Sequence, residues 1–223
     1  MVGGVLFQGI AEEEQRTLLD CLQARARHYA RGETVLRAGE PTQALGVVVS
    51  GSVHIESSDA WGNRSILDKL GPGQIFAEVY ACIPGERLMV TVVAAEDTEV
   101  LLLRVDRLLE QGTEPTGGRD RLIRNLLEAT ARKNLHLTQK IFHTAPKTIR
   151  GKVLAYLSFQ SARQGGRQFS IPFNRQQLAD YLGVDRSALS SELGRLKREG
   201  VLDFRRNVFR LMGNEIEEQV TRK

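Results

Sequence analysis

The residues best suited to molecular recognition stand at the start of one predicted helix near the carboxyl end of the chain. Arg186, Ser187, Ser190 and Ser191 are spaced so that all four share the exposed side of a helix. An arginine guanidinium can donate two hydrogen bonds to the edge of a guanine base, and serine hydroxyls can bond to several bases. The pattern therefore favours direct reading of DNA bases, with Arg186 as the principal reader. The same residues also suit ordinary solvated surface. The neighbouring elements must therefore distinguish a DNA-binding surface from an ordinary one.

Two helices joined by a tight turn are predicted around these residues. Asn174 is a suitable N-cap for a helix beginning at Arg175, and Gln177 can bond back to that cap. Gly183 supplies the permissive backbone that the turn needs, and Asp185 is predicted to cap the second helix and to belong to the DNA-binding surface. Apolar residues at helical spacing form the inward faces: Leu178, Ala179 and Leu182 in the first helix, and Leu189, Leu193 and Leu196 in the second.

A β-hairpin is predicted directly after the second helix. Polar and apolar residues alternate over residues 201–205, and Arg206-Asn207 form a turn before Val208. A helix-turn-helix followed by such a wing predicts a DNA-binding domain.

Positive charge is concentrated in the same part of the chain. Residues 145–223 hold 15 Lys and Arg against 8 Asp and Glu, a net charge of +7, whereas residues 1–144 hold 16 against 19, a net charge of −3. Neutralising the phosphate backbone supplies most of the sequence-independent affinity for DNA. The predicted phosphate contacts are Arg163, Arg167, Arg175, Gln176, Arg205 and Arg206.

Composition narrows the remaining classes of function. A chain of 223 residues with 41% hydrophobic and 26% charged content is expected to be soluble and to form two domains. No leader is evident and no apolar run approaches the roughly 20 residues of a membrane span, so we expect a cytoplasmic protein without membrane contact. Cys21 and Cys82 are too few for a zinc knuckle or a four-cysteine cluster. The four histidines lack metal-binding spacing and no catalytic triad or phosphate loop stands out, so we predict no metal site and no enzyme.

Short β-rich runs divided by turn residues fill the amino-terminal half. Their spacing predicts a sandwich or barrel, and hence an α+β protein with an amino-terminal β jelly roll. The predicted strands are Thr34–Arg37, Leu45–Ser50, Ser52–Ser57, Arg64–Leu70, Gln74–Phe76, Val90–Ala94 and Glu99–Leu103. A helix is predicted before them over Glu12–Arg27, with Leu18, Leu19 and Leu22 on its buried side.

A long helix is predicted between the two halves, from Arg119 to His143, after a loop over residues 111–118. Ala145-Pro146 is expected to end it. Six residues alternate at spacings of four and three, which is typical of a coiled-coil seam: Ile123, Leu127, Thr130, Asn134, Leu137 and Ile141. We expect two chains to pair along this seam in parallel, since a polar Asn in the core fixes the register. Packing of these residues on the amino-terminal domain is the alternative, and Leu122, Leu126 and Ala129 offer a neighbouring face for that role.

The glycine pattern of the amino-terminal half resembles a known fold. Residues 51–54, 62–63, 71–78 (G-P-G-Q-I-F-A-E) and 92–103 are similar to the cyclic-nucleotide-binding jelly roll. Together with the winged helix-turn-helix, the chain resembles the Crp/Fnr family of bacterial transcription regulators from end to end. The resemblance implies a homodimer that binds an inverted-repeat operator in double-stranded DNA, responds to a small-molecule effector and contacts RNA polymerase. It implies a sensor domain over residues 1–118, a dimerisation helix over 119–144 and a winged helix-turn-helix over 145–223.

The implied effector site departs from the cyclic-AMP pattern. Glu78 stands where such members bind ribose, but Leu88-Met89 replace the Arg-Ser pair that holds the cyclic phosphate, and Leu137-Thr138 replace the Thr-Ser pair that holds adenine. Burying a phosphate against Leu and Met would cost several kcal/mol, and Arg87 could substitute only if its loop shifted. We therefore expect an effector other than cyclic AMP. Its predicted pocket comprises Phe76, Glu78, Val79, Tyr80, Cys82, Arg87, Leu88, Met89, Leu137 and Thr138.

Several alternatives stay open at this point. The pocket residues could be plain jelly-roll core, or Cys82 or a histidine could bind haem, although no second ligand is evident. A metal-dependent jelly-roll enzyme with an incidental basic tail would need a His-rich pocket. A cyclic-nucleotide module acting on a protein partner would need an Arg in place of Leu88. No cofactor is assigned, and the effector is not identified.

Overall fold

The computed structural model of the chain describes residues 4–59, 61, 64–109 and 117–212. The chain forms two compact units, residues 1–133 and 134–223. The three-part division at residues 118 and 144 stays a prediction. Parts of two predicted loops, over 59–63 and 111–118, lie outside the described residues. Within the described residues, no helix combines the length and apolar character needed to cross a membrane.

Two four-stranded antiparallel sheets form the body of the amino-terminal unit. The strands are β1 (Arg25–Tyr29), β2 (Thr34–Leu36), β3 (Ala44–Ser50), β4 (Val53–Ser58), β5 (Arg64–Leu70), β6 (Ile75–Phe76), β7 (Thr91–Ala94) and β8 (Thr98–Arg104). Their order is β1-β8-β3-β6 in one sheet and β2-β7-β4-β5 in the other. All seven predicted strands are present, each within one residue of its predicted bounds, and the predicted α+β class is confirmed.

The predicted helix over Glu12–Arg27 is wrong in its second part. Helix α1 (Glu12–Cys21) ends earlier because Gln23 adopts a left-handed φ of 47° and the Ala24 amide donates to the Leu19 carbonyl. The residues that follow form β1 and pair antiparallel with β8. The ladder of hydrogen bonds offered by β8 outweighs the local helical pattern, as tertiary context often does. Leu18 and Leu22 are buried as predicted, and Leu19 is partly buried.

Apolar side chains from both sheets meet in one cluster. Its members are Tyr29, Val48, Val53, Leu70, Phe76, Val92, Ala94 and Val100. Gly46 of β3 lies opposite Phe76 of β6 in the antiparallel ladder. A Cβ added to Gly46 would lie 2.0 Å from the Cζ atom of Phe76. The aromatic ring therefore occupies the space that a side chain on β3 would need.

The long helix α4 (Gly117–Thr144) packs by one face against the amino-terminal core. It begins two residues before the predicted Arg119, where the Gly118 amide donates to Glu14 Oε1 of α1 at 3.0 Å. It ends immediately before Ala145-Pro146, as predicted. Leu122, Leu126 and Ala129 are buried with α1 and the first sheet, which confirms the role predicted for this face.

In the described part of the carboxyl-terminal unit, three further helices pack on a three-stranded sheet. The helices are α5 (Ile149–Gln164), α6 (Arg175–Leu182) and α7 (Arg186–Arg198), and the strands are β9 (Gln168–Ser170), β10 (Leu202–Arg205) and β11 (Val208–Leu211). The strand order is β10-β11-β9. Both helices of the predicted helix-turn-helix and both strands of the predicted wing are confirmed. Two short helices, α2 (Glu78–Cys82) and α3 (Asp106–Leu109), belong to the amino-terminal unit.

Candidate nucleic-acid interface and sensor pocket

The first helix of the helix-turn-helix is capped as predicted. Asn174 Oδ1 accepts a hydrogen bond from the backbone N–H of Gln177, and Gln177 Oε1 accepts one from the backbone N–H of Asn174, both at 2.9 Å. This capping box satisfies two amides at the helix terminus, and such a cap contributes about 1 kcal/mol. Gly183 follows α6 with φ of 61°, a left-handed conformation that favours glycine. The turn that aims α7 therefore depends on this residue.

Helix α7 is buried on one side and exposed on the other. Leu189, Leu193 and Leu196 have 0% exposure and pack in the core of the carboxyl-terminal unit. The four predicted readout residues are all exposed on the opposite side: Arg186, Ser187, Ser190 and Ser191. The structure thus brings them together on one surface at the start of the helix. Their contacts with bases stay a prediction.

Asp185 fixes the start of α7. Its Oδ1 atom accepts hydrogen bonds from the Ser187 hydroxyl at 2.5 Å and from the Ala188 amide at 2.9 Å. These bonds, the Ser187 bond foremost, hold the pKa of Asp185 below its ordinary value of 3.8. The cap is therefore present at neutral pH and is lost only as the pH falls through that lowered pKa. Because the Ser187 hydroxyl donates its proton to Asp185, it can only accept a hydrogen bond from a base.

Arg175 stacks on aromatic rings of the wing. Its guanidinium carbon lies 4.5 Å from the ring centroid of Phe204 and 5.2 Å from that of Phe209. The Lys197 ammonium of α7 lies 5.4 Å from the Phe204 ring and 2.6 Å from Asp203. Burial lowers the pKa of Arg175 from its ordinary value. One aromatic ring thus joins the start of α6, the end of α7 and the wing through cation–π contacts.

A surface concavity of about 640 Å³ lies between the start of α6 and the wing turn. Its lining residues are Pro172, Phe173, Asn174, Arg175, Gln177, Phe204, Arg206 and Asn207. Of the predicted phosphate contacts, Arg175 and Arg206 meet at this concavity. Gln176 is exposed and donates to Asp180 at 2.8 Å, and Arg205 is exposed on β10. Arg163 and Arg167 lie elsewhere, exposed near the end of α5.

Two residues of this surface escaped the sequence analysis. Arg198 is exposed and lies seven residues after Ser191, a spacing that places both on the same face of α7. That spacing is the signal by which Arg198 could have been found. Phe204 had no comparable signal, because its contact with Arg175 joins residues far apart in the sequence.

The predicted effector residues divide between the interior and the surface. Phe76 and Leu88 are buried, with 2% and 3% exposure, whereas Val79 and Met89 are 46% and 78% exposed. The Tyr80 hydroxyl accepts a hydrogen bond from the Met89 amide at 3.3 Å. The apolar members thus divide between the interior and the surface of the domain, and the effector pocket stays a prediction.

The polar members of the predicted pocket are engaged in internal contacts or exposed. Cys82 is exposed as a residue, but partial burial of its thiol, and then the charge of Glu78, raise the pKa of that thiol. Arg87 Nη1 donates to the Gly39 carbonyl at 2.7 Å. Leu137 and Thr138 belong to the other unit and are exposed, and the Thr138 hydroxyl donates to Asn134 Oδ1 at 3.3 Å.

Glu78 is a buried carboxylate that already has a cationic partner. It is 5% exposed, and its Oε1 atom lies 2.8 Å from Lys133 Nζ of α4. The same ammonium donates to the Ile75 carbonyl at 2.7 Å. Ala77, just before Glu78, has a left-handed φ of 59°, an uncommon conformation for a residue with a Cβ. A ligand hydroxyl at this carboxylate would have to share it with Lys133.

The predicted dimer seam is mostly exposed. Leu127, Leu137 and Ile141 are 68%, 59% and 66% exposed, and Asn134 lies between them. Ile123 instead packs partly against the amino-terminal core. Thr130 is half-buried, and its hydroxyl donates to the Leu126 carbonyl. Among the described residues, no group of three or more His, Cys, Asp or Glu side chains is arranged to hold a metal ion.

Each of the two units contains a segment that matches a known protein family. Residues 26–112 match the cyclic nucleotide-binding domain family, and residues 151–212 match the Crp-like helix-turn-helix domain family. The cyclic AMP receptor protein of Thermus thermophilus is 33% identical over 204 residues, 91% of this chain and 89% of the relative. The chain belongs to the Crp/Fnr family of transcription regulators.

Further relatives agree with Crp/Fnr membership. The CRP-like cAMP-activated global transcriptional regulator of Mycobacterium tuberculosis is 26% identical over 87% of this chain and 86% of its own length. The crystal structure of the Thermus thermophilus catabolite activator protein has a TM-score of 0.51 and 28% identity, covering 97% of this chain and 98% of that one. As a Crp/Fnr protein, the chain is a DNA-binding transcription regulator with a cyclic nucleotide-binding domain. The family consists of regulators rather than enzymes, as predicted.

Proposed function

We propose that this Crp/Fnr regulator is a homodimer that reads an inverted-repeat operator with two copies of α7. The observation that carries the proposal is the row of exposed apolar residues on α4, Leu127, Leu137 and Ile141. Large exposed apolar side chains along one helix face favour a partner, and Asn134 among them suits a parallel pair. A parallel pair would hold two reading helices side by side, at half-sites roughly 34 Å apart.

Each reading helix would divide its contacts between bases and phosphates. Arg186 would read a base through its guanidinium, and Ser187, Ser190 and Ser191 would adjust the preference of the site. Arg175, Gln176, Arg205 and Arg206 would contact phosphates around the wing. Arg198 extends the same surface of α7 and would add a further phosphate contact. Family membership also supports RNA polymerase as a partner and the cytoplasm as the place of action.

Arg186→Ala should reduce discrimination between operator and random DNA by about 1–3 kcal/mol, since a two-bond contact with a base is lost. The operator would be a duplex enriched from a random library by the wild-type protein, and fluorescence anisotropy would give both affinities. Arg195→Ala is the matched control, because Arg195 lies on the same helix but bonds to Glu199 at 2.9 Å. Equal discrimination by Arg186→Ala and wild type would remove Arg186 as a base reader.

We infer that the effector of the sensor domain is not cyclic AMP. A cyclic phosphate placed against buried Leu88 would lose its hydration, and the adjacent Arg87 guanidinium donates instead to the Gly39 carbonyl. Glu78, which would have to receive the ribose, is paired with Lys133. The Thermus thermophilus relative is named as a receptor for cyclic AMP, so the inference separates this chain from that relative.

Calorimetry with cyclic AMP should show no binding tighter than about 1 mM to the wild-type protein. The double variant Leu88→Arg with Met89→Ser supplies a counter-charge and a hydroxyl, so its affinity should rise measurably. Micromolar affinity of the wild type would contradict the inference, since it would require Arg87 to leave the Gly39 carbonyl and bind the phosphate.

A further inference from the structure

His143 is the only buried histidine of the four in the chain, all of which are described. It stands in the last turn of α4 and is 3% exposed. Its Nδ1 atom lies 2.8 Å from the Tyr181 hydroxyl of α6, the first helix of the helix-turn-helix. This hydrogen bond therefore joins the end of α4 directly to the DNA-binding elements within the carboxyl-terminal unit.

Aromatic rings surround the imidazole. The ring centroids of Tyr156 and Phe159, both on α5, lie 5.3 Å and 5.0 Å from that of His143. Phe173 lies 5.9 Å from Tyr156 and 5.0 Å from Tyr181. His143 is thus part of one ring cluster that includes residues of α4, α5 and α6. A change in the charge of His143 would therefore alter its interactions with both α5 and α6.

The surroundings favour the neutral imidazole. Burial lowers the pKa of His143 below its ordinary value of 6.5. The titratable or charged groups near the cluster include Tyr156 and Arg163 from α5 and Tyr181 from α6. Lys140 lies one turn earlier on α4, and Asp180, next to Tyr181, is exposed and accepts a hydrogen bond from Gln176. Burial raises the pKa of Tyr156 to about 12 and also raises that of Tyr181, so both hydroxyls stay protonated at neutral pH. Burial is the cause of the shift at His143, and no carboxylate contributes to it.

Protonation would reverse the hydrogen bond as well as bury a charge. In the neutral tautomer that carries its proton on Nε2, the Tyr181 hydroxyl donates and Nδ1 accepts. Toward the imidazolium, Nδ1 carries a proton and the Tyr181 oxygen must accept. Since the folded state favours the neutral ring, the contribution of this contact is complete above about pH 6.5 and is lost as the pH falls through the lowered pKa of His143.

We propose that His143 is a positioning residue that fixes the helix-turn-helix to the end of α4 through Tyr181, and that protonation of His143 loosens this contact and weakens DNA binding. The proposal adds sensitivity to acid to a regulator whose sensor domain responds to a small molecule. It rests on the DNA-binding function of the carboxyl-terminal unit.

The test is the pH profile of DNA affinity from pH 7.5 down to the lowest pH at which the wild type stays folded, because the pKa of His143 lies below 6.5. It is measured with the library-selected duplex. His143→Gln keeps a side chain that can bond to Tyr181 but cannot titrate. His136→Gln is the matched control, because His136 is exposed on the same helix. Relative to His143→Gln, the wild type and His136→Gln should lose about tenfold more affinity on acidification. An identical profile for His143→Gln and wild type would overturn the proposal.

Tyr181→Phe provides a second test that removes a single oxygen atom and preserves the ring. At pH 7.5 it should weaken DNA binding about fivefold, because one hydrogen bond is lost. Unchanged affinity of folded Tyr181→Phe would show that the bond only stabilises the domain, and would overturn the proposal even if His143→Gln did not fold. Failure of the wild type to bind any duplex at pH 7.5 would instead count against the DNA-binding function itself.

Discussion

Leu137→Glu is expected to abolish dimerisation and to lower operator affinity about a thousandfold. Leu137 is 59% exposed in the isolated chain and stands between Asn134 and Ile141 in the seam. In a parallel dimer the two substituted carboxylates would face each other away from water, at a cost of about 4 kcal/mol or more. Sedimentation equilibrium would measure the dimer, and anisotropy the operator affinity.

His136→Glu is the control for this substitution. His136 is the preceding residue on α4, is exposed, and lies outside the seam spacing, so the same charge there should leave the dimer intact. A Leu137→Glu protein that remains dimeric would show that the exposed apolar row has another purpose, and the proposed parallel pairing would have to be abandoned.

Leu193→Ala should lower the free energy of unfolding of the carboxyl-terminal unit by about 2–5 kcal/mol. The Leu193 side chain has 0% exposure, so its truncation leaves a cavity on the buried side of α7. The amino-terminal unit has its own apolar clusters, which share no residue with the cluster around Leu193. Differential scanning calorimetry should therefore show one transition lowered and the other unchanged.

Leu135→Ala is the matched control, since Leu135 is 59% exposed in the same unit. Its cost should stay within about 0.5 kcal/mol, as is usual for surface positions. If Leu193→Ala moved both transitions equally, the two units would be shown to unfold together, contrary to the separation of their cores.

The helix-turn-helix was predictable because its signals are local. Asn174 and Gln177 are three residues apart, and the side chain of each accepts a hydrogen bond from the other's backbone N–H. Gly183 adopts the left-handed conformation that the turn requires. Asp185 then bonds to the amide three residues later. Each of these interactions closes within one turn of chain, so the residue types and their spacing contain all the necessary information.

The contacts that sequence analysis missed join distant residues. The strand β1 exists because β8 lies beside it, and the helical pattern over residues 12–27 carries no trace of that pairing. Glu78 could be recognised as a family position, but its partner Lys133 lies 55 residues away on α4. The division of the predicted pocket into buried Leu88 and exposed Met89 likewise depends on how the folded loop turns. Long-range geometry, rather than residue type, decided these features.

The glycine beneath the Phe76 ring constrains how this sheet can evolve. A side chain gained at Gly46 would collide with the ring, and a smaller residue gained at Phe76 would leave a void above Gly46. Either change alone would therefore destabilise the sheet, so the two positions form a matched pair. We expect another pair of residues to be accommodated here when both partners change and their total volume is kept.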